Sequence, residues 1–356
     1  MTKSYEYGVF IGRFQPLHNA HLAVIHQALD ECNELILIIG SANSTQDIKN
    51  PFSYDERVEM ISACLKPEEL KRVHFVGVRD YFYNENIWIT DVQQKVGEIT
   101  ENSSSIALFG AYKDASSYYI SLFPQWDFIP STNRSILNAT DIRAALFEAP
   151  LVSTSWEDRR VSWYANVPIP IRDWINSKLI GQGGLSERFT KLQSEYSYIQ
   201  QYRDEWAETP YPVTFVTTDA VVIKSGHVLV VTRKFAPGAG LMALPGGFIK
   251  QDETIEDAML RELKEETRIK VDKLELRRSI IDSRVFDYPG RDLRGRTITH
   301  AFHIDLGLGE LPEVKGGDDA GHAKWLPLVD ALRNESRFYS DHWHIIYNFM
   351  QNRRVK

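Results

Sequence analysis

Apolar and polar positions follow two different rhythms along this chain. Between residue 5 and about 150, the runs YGVFIG, ELILIIG, RVHFVGV, SIALFG and WDFIP are short and rich in β-branched or aromatic residues. Each is bounded by glycine or polar turns, which predicts buried parallel strands. Between them, HLAVIHQALDEC, SYDERVEMISACL, IWITDVQQKVGEIT and SSYYISLF carry apolar residues at helical spacing. This alternation predicts an α/β domain built on a doubly wound parallel sheet, whose ligands bind beyond the carboxyl ends of its strands.

VPIPIRDWI then predicts a short closing helix, GQGGLS a flexible break, and ERFTKLQSEYSYIQQYRDEWAE a connecting helix. From about residue 212 the rhythm changes. VTFVTTDAVVIKSGHVLVVTRK reads as two strands around a Ser-Gly turn, followed by one strong helix at about 254–267. Further strands are expected at SIIDSRVFD, RTITHAFHIDL and AKWLPL, and a last helix at HWHIIYNFMQ. The second half is therefore α+β. The predicted division is 1–180, a linker and connecting helix at 181–206, and a second domain at 207–356.

Composition narrows the partners. A length of 356 residues suits two domains, and 43% apolar with 25% charged residues is globular. A net charge of −7 argues against nucleic acid, which needs a clustered basic surface, but not against small phosphorylated ligands. Cys32 and Cys64 are too few for a disulfide scaffold or a cysteine-based zinc site. The start of the chain has no signal-peptide core, and the longest apolar run, LILIIG, is far too short for a membrane span. These features predict a cytoplasmic protein with no membrane partner; a homo-oligomer stays open.

The first candidate site is GRFQPLHNAH, directly after the first strand. Gly12 permits a tight turn and close approach of a ligand to the backbone, and Pro16 stiffens the loop. His18 precedes the helix and His21 lies in its first turn, so both rings can face one space. With Arg13 and the positive end of a helix they form a phosphate site. By itself a histidine pair of this kind is more readily a capped helix with two surface rings. NATDIRAAL supplies a second helix start, with Thr140 as its expected N-cap and Arg143 in its first turn.

Together these pieces resemble the nucleotidyltransferase superfamily, with its H-x-G-H and S-x-T-x-I-R motifs. Here they read HNAH, with Ala20 for glycine, and NATDIR, with Asn138 for serine. GRFQPLHNAHL, GSAN…NPFSYDER, VRDYFYNENIW and GAYKDASSYYISLFPQW look like the archaeal-type nicotinamide mononucleotide (NMN) adenylyltransferases. The resemblance implies adenylyl transfer from ATP to NMN, giving NAD and pyrophosphate with no covalent enzyme intermediate. It also implies roles. His18 and His21 contact the ATP phosphates, Gly12, Arg13, Phe14 and Arg143 belong to the phosphate-binding surface, and Mg²⁺ bridges oxygens. Thr140 binds the β- and γ-phosphates, Lys113 is a further phosphate ligand, Trp88 stacks on the nicotinamide ring, and Asn86 or Asn84 reaches the carboxamide. Lys113 reads equally well as a solvated loop lysine, and Trp88 as core packing.

The second candidate site is GGFIKQDETIEDAMLRELKEETRI. Glu262, Glu265 and Glu266 fall at i, i+3 and i+4, so three carboxylates share one helical face. A solvated acidic face is the usual explanation, but a hard divalent cation also satisfies such a cluster. Gly247, Glu253, Arg261 and the three glutamates match the Nudix box at every fixed position but one, where Arg268 replaces glycine. That glycine ends the helix, so a positive φ is expected at Arg268. The resemblance implies metal ligation by Glu262, Glu265 and Glu266, with Mg²⁺ or Mn²⁺. Arg261 orients the glutamates and Glu253 supports the loop. The general base is not readable. Arg291, Arg294 and Arg296 in FDYPGRDLRGRTITHAF suit a pyrophosphate, although a solvated basic loop is the competing reading; Asp318 and Asp319 are a candidate base or hinge.

Across nearly the whole chain, in the same domain order, the sequence resembles the bacterial bifunctional NMN adenylyltransferase/Nudix hydrolases. A Rossmann-like nucleotidyltransferase domain followed by a Nudix fold, an α/β/α sandwich, is thereby implied, and hydrolysis of ADP-ribose to AMP and ribose 5-phosphate. Three rivals stay open: a different acceptor such as nicotinate mononucleotide or phosphopantetheine, a Nudix half that senses a ligand without cleaving it, and a first domain that is a degenerate nucleotide-binding scaffold.

Overall fold

The structure is a computed structural model and describes residues 3–111, 115–132, 137–148, 162–180, 184–317 and 320–351. The chain divides into two compact units, Met1–Ser194 and Glu195–Lys356.

In the first unit, β1 (Tyr5–Gly12), β2 (Cys32–Ile39), β3 (Val73–Gly77), β4 (Ile106–Gly110) and β5 (Asp127–Pro130) form a sheet in the order β3-β2-β1-β4-β5. Every pairing is parallel. All five lie on predicted strands. The central ones were legible because both of their faces are covered: Leu35 to Ile39 of β2 are completely buried. The helices are α1 (Asn19–Glu31), α2 (Tyr54–Ser62), α3 (Pro67–Leu70), α4 (Glu85–Thr100), α5 (Ala139–Glu148), α6 (Ser162–Asn166) and α7 (Ile169–Ile180). SSYYISLF belongs to a 3₁₀ helix, Ala115–Leu122, where an α-helix was expected. Strand order reverses between β1 and β4, so the loop leaving β1 opens at the topological switch point, where doubly wound sheets bind ligands.

The next helix, α8 (Gly184–Glu205), starts at Gly184. The predicted break therefore does not reach Gly184, Leu185 and Ser186, which are helical; residues 181–183 lie outside the described residues.

In the second unit, β6 (Thr214–Lys224), β7 (His227–Arg233), β8 (Met242–Ala243), β9 (Gly246–Phe248), β10 (Ile280–Phe286), β11 (Arg296–Asp305) and β12 (Ala320–Pro327) form a mixed sheet. Its main order is β10-β11-β6-β7-β12, with β8 on β7 and β9 on β6. The predicted hairpin is present: Ser225 and Gly226, with φ of 46° and 74°, turn β6 into β7. Two successive positive φ values match the twist of the flanking strands. The helices are α9 (Ile255–Thr267), α10 (Lys273–Arg278), α11 (Leu328–Arg333) and α12 (His342–Gln351). α9 is capped by Thr254, whose side chain accepts from the Asp257 N–H. Its inner face, Met259, Leu260 and Leu263, packs on Ala220, Val222, Leu229, Phe302 and Ile304. Packing on one face leaves the glutamates on the other. No helix among the described residues is long and apolar enough to cross a membrane.

Candidate active sites

The loop from β1 to α1 is held by its backbone. Gly12 faces the Phe14 ring, and a Cβ there would fall 2.8 Å from it. Phe14 takes φ 51° and turns its ring inward, so it is a packing residue of the loop, edge-on to His21 at 5.1 Å. Gln15 clasps Phe52, donating to its carbonyl at 2.8 Å and accepting its N–H at 3.0 Å. His18 caps α1: its Nδ1 accepts the His21 N–H at 3.3 Å. The two rings stack with centroids 3.5 Å apart and an angle of 16°. Ala20 lies in the first turn of α1 and is not among the positive-φ residues, so its β-carbon imposes no strain.

Three arginines converge on this loop. Arg143 donates from Nη1 to the Gln15 carbonyl at 2.9 Å and from Nη2 to Thr140 Oγ1 at 3.1 Å. Arg57, which the sequence reading missed, donates to the carbonyls of Arg13 and Gly40, both at 2.7 Å, and to those of Ser41 and Ser53. Arg13 is exposed beside them. Burial, with the Arg13 charge acting in the same direction, brings the Arg57 and Arg143 guanidinium groups down to about 10. Both stay charged at neutral pH and stand beside Arg13, so positive charge is concentrated at the switch point. Two carboxyls stand nearby, both raised by burial. Asp80 accepts Ser41 Oγ at 2.6 Å, and Asp47 accepts the N–H groups of Lys49 and Asn50.

Thr140 is not the cap of α5. The helix already includes Ala139, and Asn138 Oδ1 accepts the Thr140 N–H at 2.9 Å. Thr140 instead receives Arg143, which therefore sits one turn into the helix. Trp88 packs on the core beside Phe123 and Tyr119, with ring centroids 5.8 and 6.4 Å away, and remains only partly buried. Asn84 is the N-cap residue of α4 but makes no capping hydrogen bond with its side chain. Asn86 is exposed. Lys113, Asp318 and Asp319 lie outside the described residues.

The second site is built on α9 and β9. Arg261 is its hub. It donates from Nε to Glu253 Oε2 at 2.9 Å, from Nη1 to Glu262 at 2.7 Å and Glu265 at 3.0 Å, and to the Phe248 carbonyl. Its hydrogen bonds hold the Glu253 carboxyl down to about 2. Glu266 accepts the Gly246 N–H at 3.0 Å. Burial pushes it up to about 8, and the charges of Glu262 and Asp219 push in the same direction. Burial also raises Glu262. Gly247 permits this crowding, because a Cβ there would fall 2.7 Å from the Glu262 carboxyl. Gly246 lets β9 lie against β6, where a Cβ would meet the Thr218 carbonyl at 2.1 Å.

Among the described residues no three acidic, histidine or cysteine side chains already stand in metal-holding geometry. The donor chemistry nevertheless fits a hard divalent cation. Glu262 and Glu266 are oxygen donors whose carboxyls burial raises, with Glu265 on the same face. Arg268, at φ 47°, closes α9 in the left-handed conformation expected there.

Glu266 lines a cavity of about 670 Å³. Arg291 and Arg294 line it and Arg296 does not. Arg296 begins β11 and turns to Asp287. Arg291 is buried in a two-pronged pair with Asp341 at 2.9 and 3.0 Å. Arg294 pairs likewise with Asp292 at 3.1 and 2.8 Å. The sequence reading missed Tyr198, Asp219, Arg233 and His342 in the lining. Asp219 accepts Thr299 Oγ1 at 2.6 Å. His342 Nδ1 accepts the Leu244 N–H at 3.1 Å, and burial pushes that imidazole down.

Comparison with known proteins agrees with both halves. The cytidylyltransferase-like family matches residues 9–145 and the NUDIX domain family residues 214–349. A nicotinamide/nicotinic acid mononucleotide adenylyltransferase of Acinetobacter baylyi is 39% identical over 160 residues, covering 45% of this chain and 85% of its own. An ADP-ribose pyrophosphatase of Methanocaldococcus jannaschii is 33% identical over 177 residues, covering 50% and 94%. A crystal structure of a bifunctional NMN adenylyltransferase/ADP-ribose pyrophosphatase from Francisella tularensis, complexed with AMP and a manganese ion, matches with a TM-score of 0.86. It is 36% identical and covers 98% of this chain and 99% of its own. With both sites in this order on one chain, and a likeness that spans its whole length, the chain belongs to the family of bifunctional NMN adenylyltransferase/ADP-ribose pyrophosphatases.

Proposed function

We propose that the first unit joins ATP and NMN into NAD and that the second hydrolyses ADP-ribose, with the working assignments 1–180, 181–206 and 207–356. An oxygen of the NMN 5′-phosphate attacks the α-phosphorus of ATP, the bond to the β-phosphate oxygen breaks, and pyrophosphate leaves. No proton need be taken from the nucleophile, so the residues only position and neutralise charge. His18, His21, Arg13 and Arg143 face the triphosphate, with the α5 start and Thr140 towards the β- and γ-phosphates. Lys113 is a further ligand by sequence. Arg57 positions the loop through main-chain carbonyls. Trp88 offers its exposed part to the nicotinamide ring, and Asn84, whose amide is not spent on capping, is a better carboxamide partner than Asn86.

In the second unit, Glu262, Glu265 and Glu266 would hold a divalent cation, with Arg261 and Glu253 keeping them in register. Bound there, Mg²⁺ or Mn²⁺ supplies polarisation of the diphosphate and an activated water. Water adds to one phosphorus, the P–O–P bridge breaks, and AMP and ribose 5-phosphate leave. The two unpaired cysteines, Cys32 and Cys64, suit a reducing cytoplasm.

The observation that carries this reading is the pairing of opposite charge surpluses: three arginines around a histidine pair at one switch point, and crowded carboxyls beside the second cavity. The test is a pair of product assays on the whole chain with Mg²⁺. Glu266→Gln should abolish AMP release from ADP-ribose and leave NAD formation intact, and His18→Ala the reverse. Pyrophosphate release with NMN and with its acid form identifies the acceptor. Absence of AMP release by the wild type would make the second unit a ligand sensor.

A further inference from the structure

We propose that Arg233 is the cation that receives the substrate diphosphate in the cavity of the second unit. The inference rests on the hydrolase reading of that unit and deepens it. Four cationic side chains line the cavity: Arg233, Lys234, Arg291 and Arg294. Arg291 and Arg294 are each gripped by a carboxylate in the two-pronged geometry that a phosphate would need. The Nε–Nη2 edge of each is taken, so an incoming diphosphate could use that two-pronged edge only by stranding Asp341 or Asp292, and an unpaired buried charge is strongly unfavourable. Lys234 is exposed and lies over the Phe235 ring at the rim, where solvent screens it.

Arg233 differs from all three. It makes no ion pair among the described residues, yet it is fixed in place. Its Nε donates to the Pro237 carbonyl at 2.8 Å, and its guanidinium carbon lies 4.2 Å above the Tyr339 ring. The terminal amino groups make no hydrogen bond among the described residues. The loop that holds it is itself pinned. Gly238 donates its N–H to Glu195 at 2.6 Å, and its φ of +78° brings the turn so close to Tyr339 that a Cβ would fall 2.3 Å from the ring. Glu266 and His342 line the same cavity as Arg233. One cavity thus holds both Arg233 and a carboxyl assigned to the metal, so a diphosphate there would be shared between a cation and an arginine fork.

The test compares wild type, Arg233→Met, Arg233→Lys and Arg294→Met in the full-length chain. The measurements are ADP-ribose hydrolysis with Mg²⁺ and calorimetric titration of ADP-ribose in EDTA, with thermal unfolding as the folding control. Arg233→Met should lower kcat/KM roughly 10- to 100-fold, mostly through KM, and weaken metal-free binding by a similar factor. Arg233→Lys keeps the charge but loses the fork and should lose fivefold or more. Values within twofold of wild type for both variants, or a loss confined to Arg294→Met, overturn the assignment. If Arg233→Met unfolds, the Lys variant decides alone, on the same threshold. A wild-type chain that binds ADP-ribose through Arg233 but never cleaves it would sink the hydrolase reading and leave this subsite standing.

Discussion

Arg143 reaches across the first unit to Gln15, donating a hydrogen bond to its carbonyl oxygen at 2.9 Å while a second amino group holds Thr140. The same side chain thus fixes the loop after β1 and ties α5 to it. Arg143→Lys keeps a positive charge but cannot span both acceptors. NAD formation, followed by pyrophosphate release, should fall about 100-fold, in line with the loss of a preorganised donor. ADP-ribose hydrolysis by the same preparation should not change; a parallel loss of both would point to general misfolding.

Adjacent glycines in the second unit should part company on substitution. At Gly247 the new methyl meets the end of the Glu262 side chain, which can swing aside. Gly247→Ala should cost less than about 1 kcal/mol of stability yet cut hydrolysis steeply, because Glu262 is displaced. At Gly246 the methyl meets the Thr218 main chain, which cannot move without breaking the β6–β9 pairing. Gly246→Ala should lower the thermal midpoint by several degrees. Equal midpoints for the two variants would refute this account.

Arg268 ends α9 with φ 47°, a conformation that strains any residue with a β-carbon. Arg268→Gly should raise stability by roughly 0.5–1 kcal/mol, read by denaturant midpoint, and leave turnover within twofold of wild type. A lower midpoint would show that the side chain contributes more than its backbone conformation costs.

Asp292 supplies the acid-dependent case. Burial alone would raise its carboxyl, but the hydrogen bonds and charge of Arg294 outweigh burial and leave it below the usual range. Its stabilisation is complete above the ordinary aspartate value near 4 and is lost as pH falls through the lower folded value. Asp292→Asn should therefore destabilise the second unit by about 3 kcal/mol at pH 7, with Arg294 left uncompensated. The gap from wild type should shrink towards pH 3. A gap that stays constant with pH would mean the pair is not what Asp292 contributes.

The sequence revealed strands better than it revealed partners. Parallel strands buried on both faces leave unbroken apolar runs, so β1, β2 and β4 were legible; the edge strands β3 and β5 are only partly buried and were read from their short β-branched or aromatic runs. The hairpin was legible because Ser225 and Gly226 interrupt two such runs. The cap of α5 was not: Asn138 and Thr140 are both good caps two residues apart, and local chemistry does not choose between them. Arg57 was passed over, although it shares a helical face with Met60 and Ile61, which are buried. That spacing was the available signal. The two-pronged pairs of Arg291 and Arg294 involve Asp341, 50 residues away, and Asp292, two residues away. A cluster of arginines in sequence shows neither how many are already spoken for nor, as with Arg296, which of them face away.

The hydrogen bond from the His21 amide into His18 fixes which tautomer the first ring adopts. With Nδ1 occupied as an acceptor, an uncharged His18 can carry its proton only on Nε2. On the proposed reading, such a ring would meet a nucleotide as a giver of hydrogen bonds, with its basic nitrogen turned back into the helix. A phosphate nucleophile arrives already ionised, so the loss of a base at this position costs the reaction nothing.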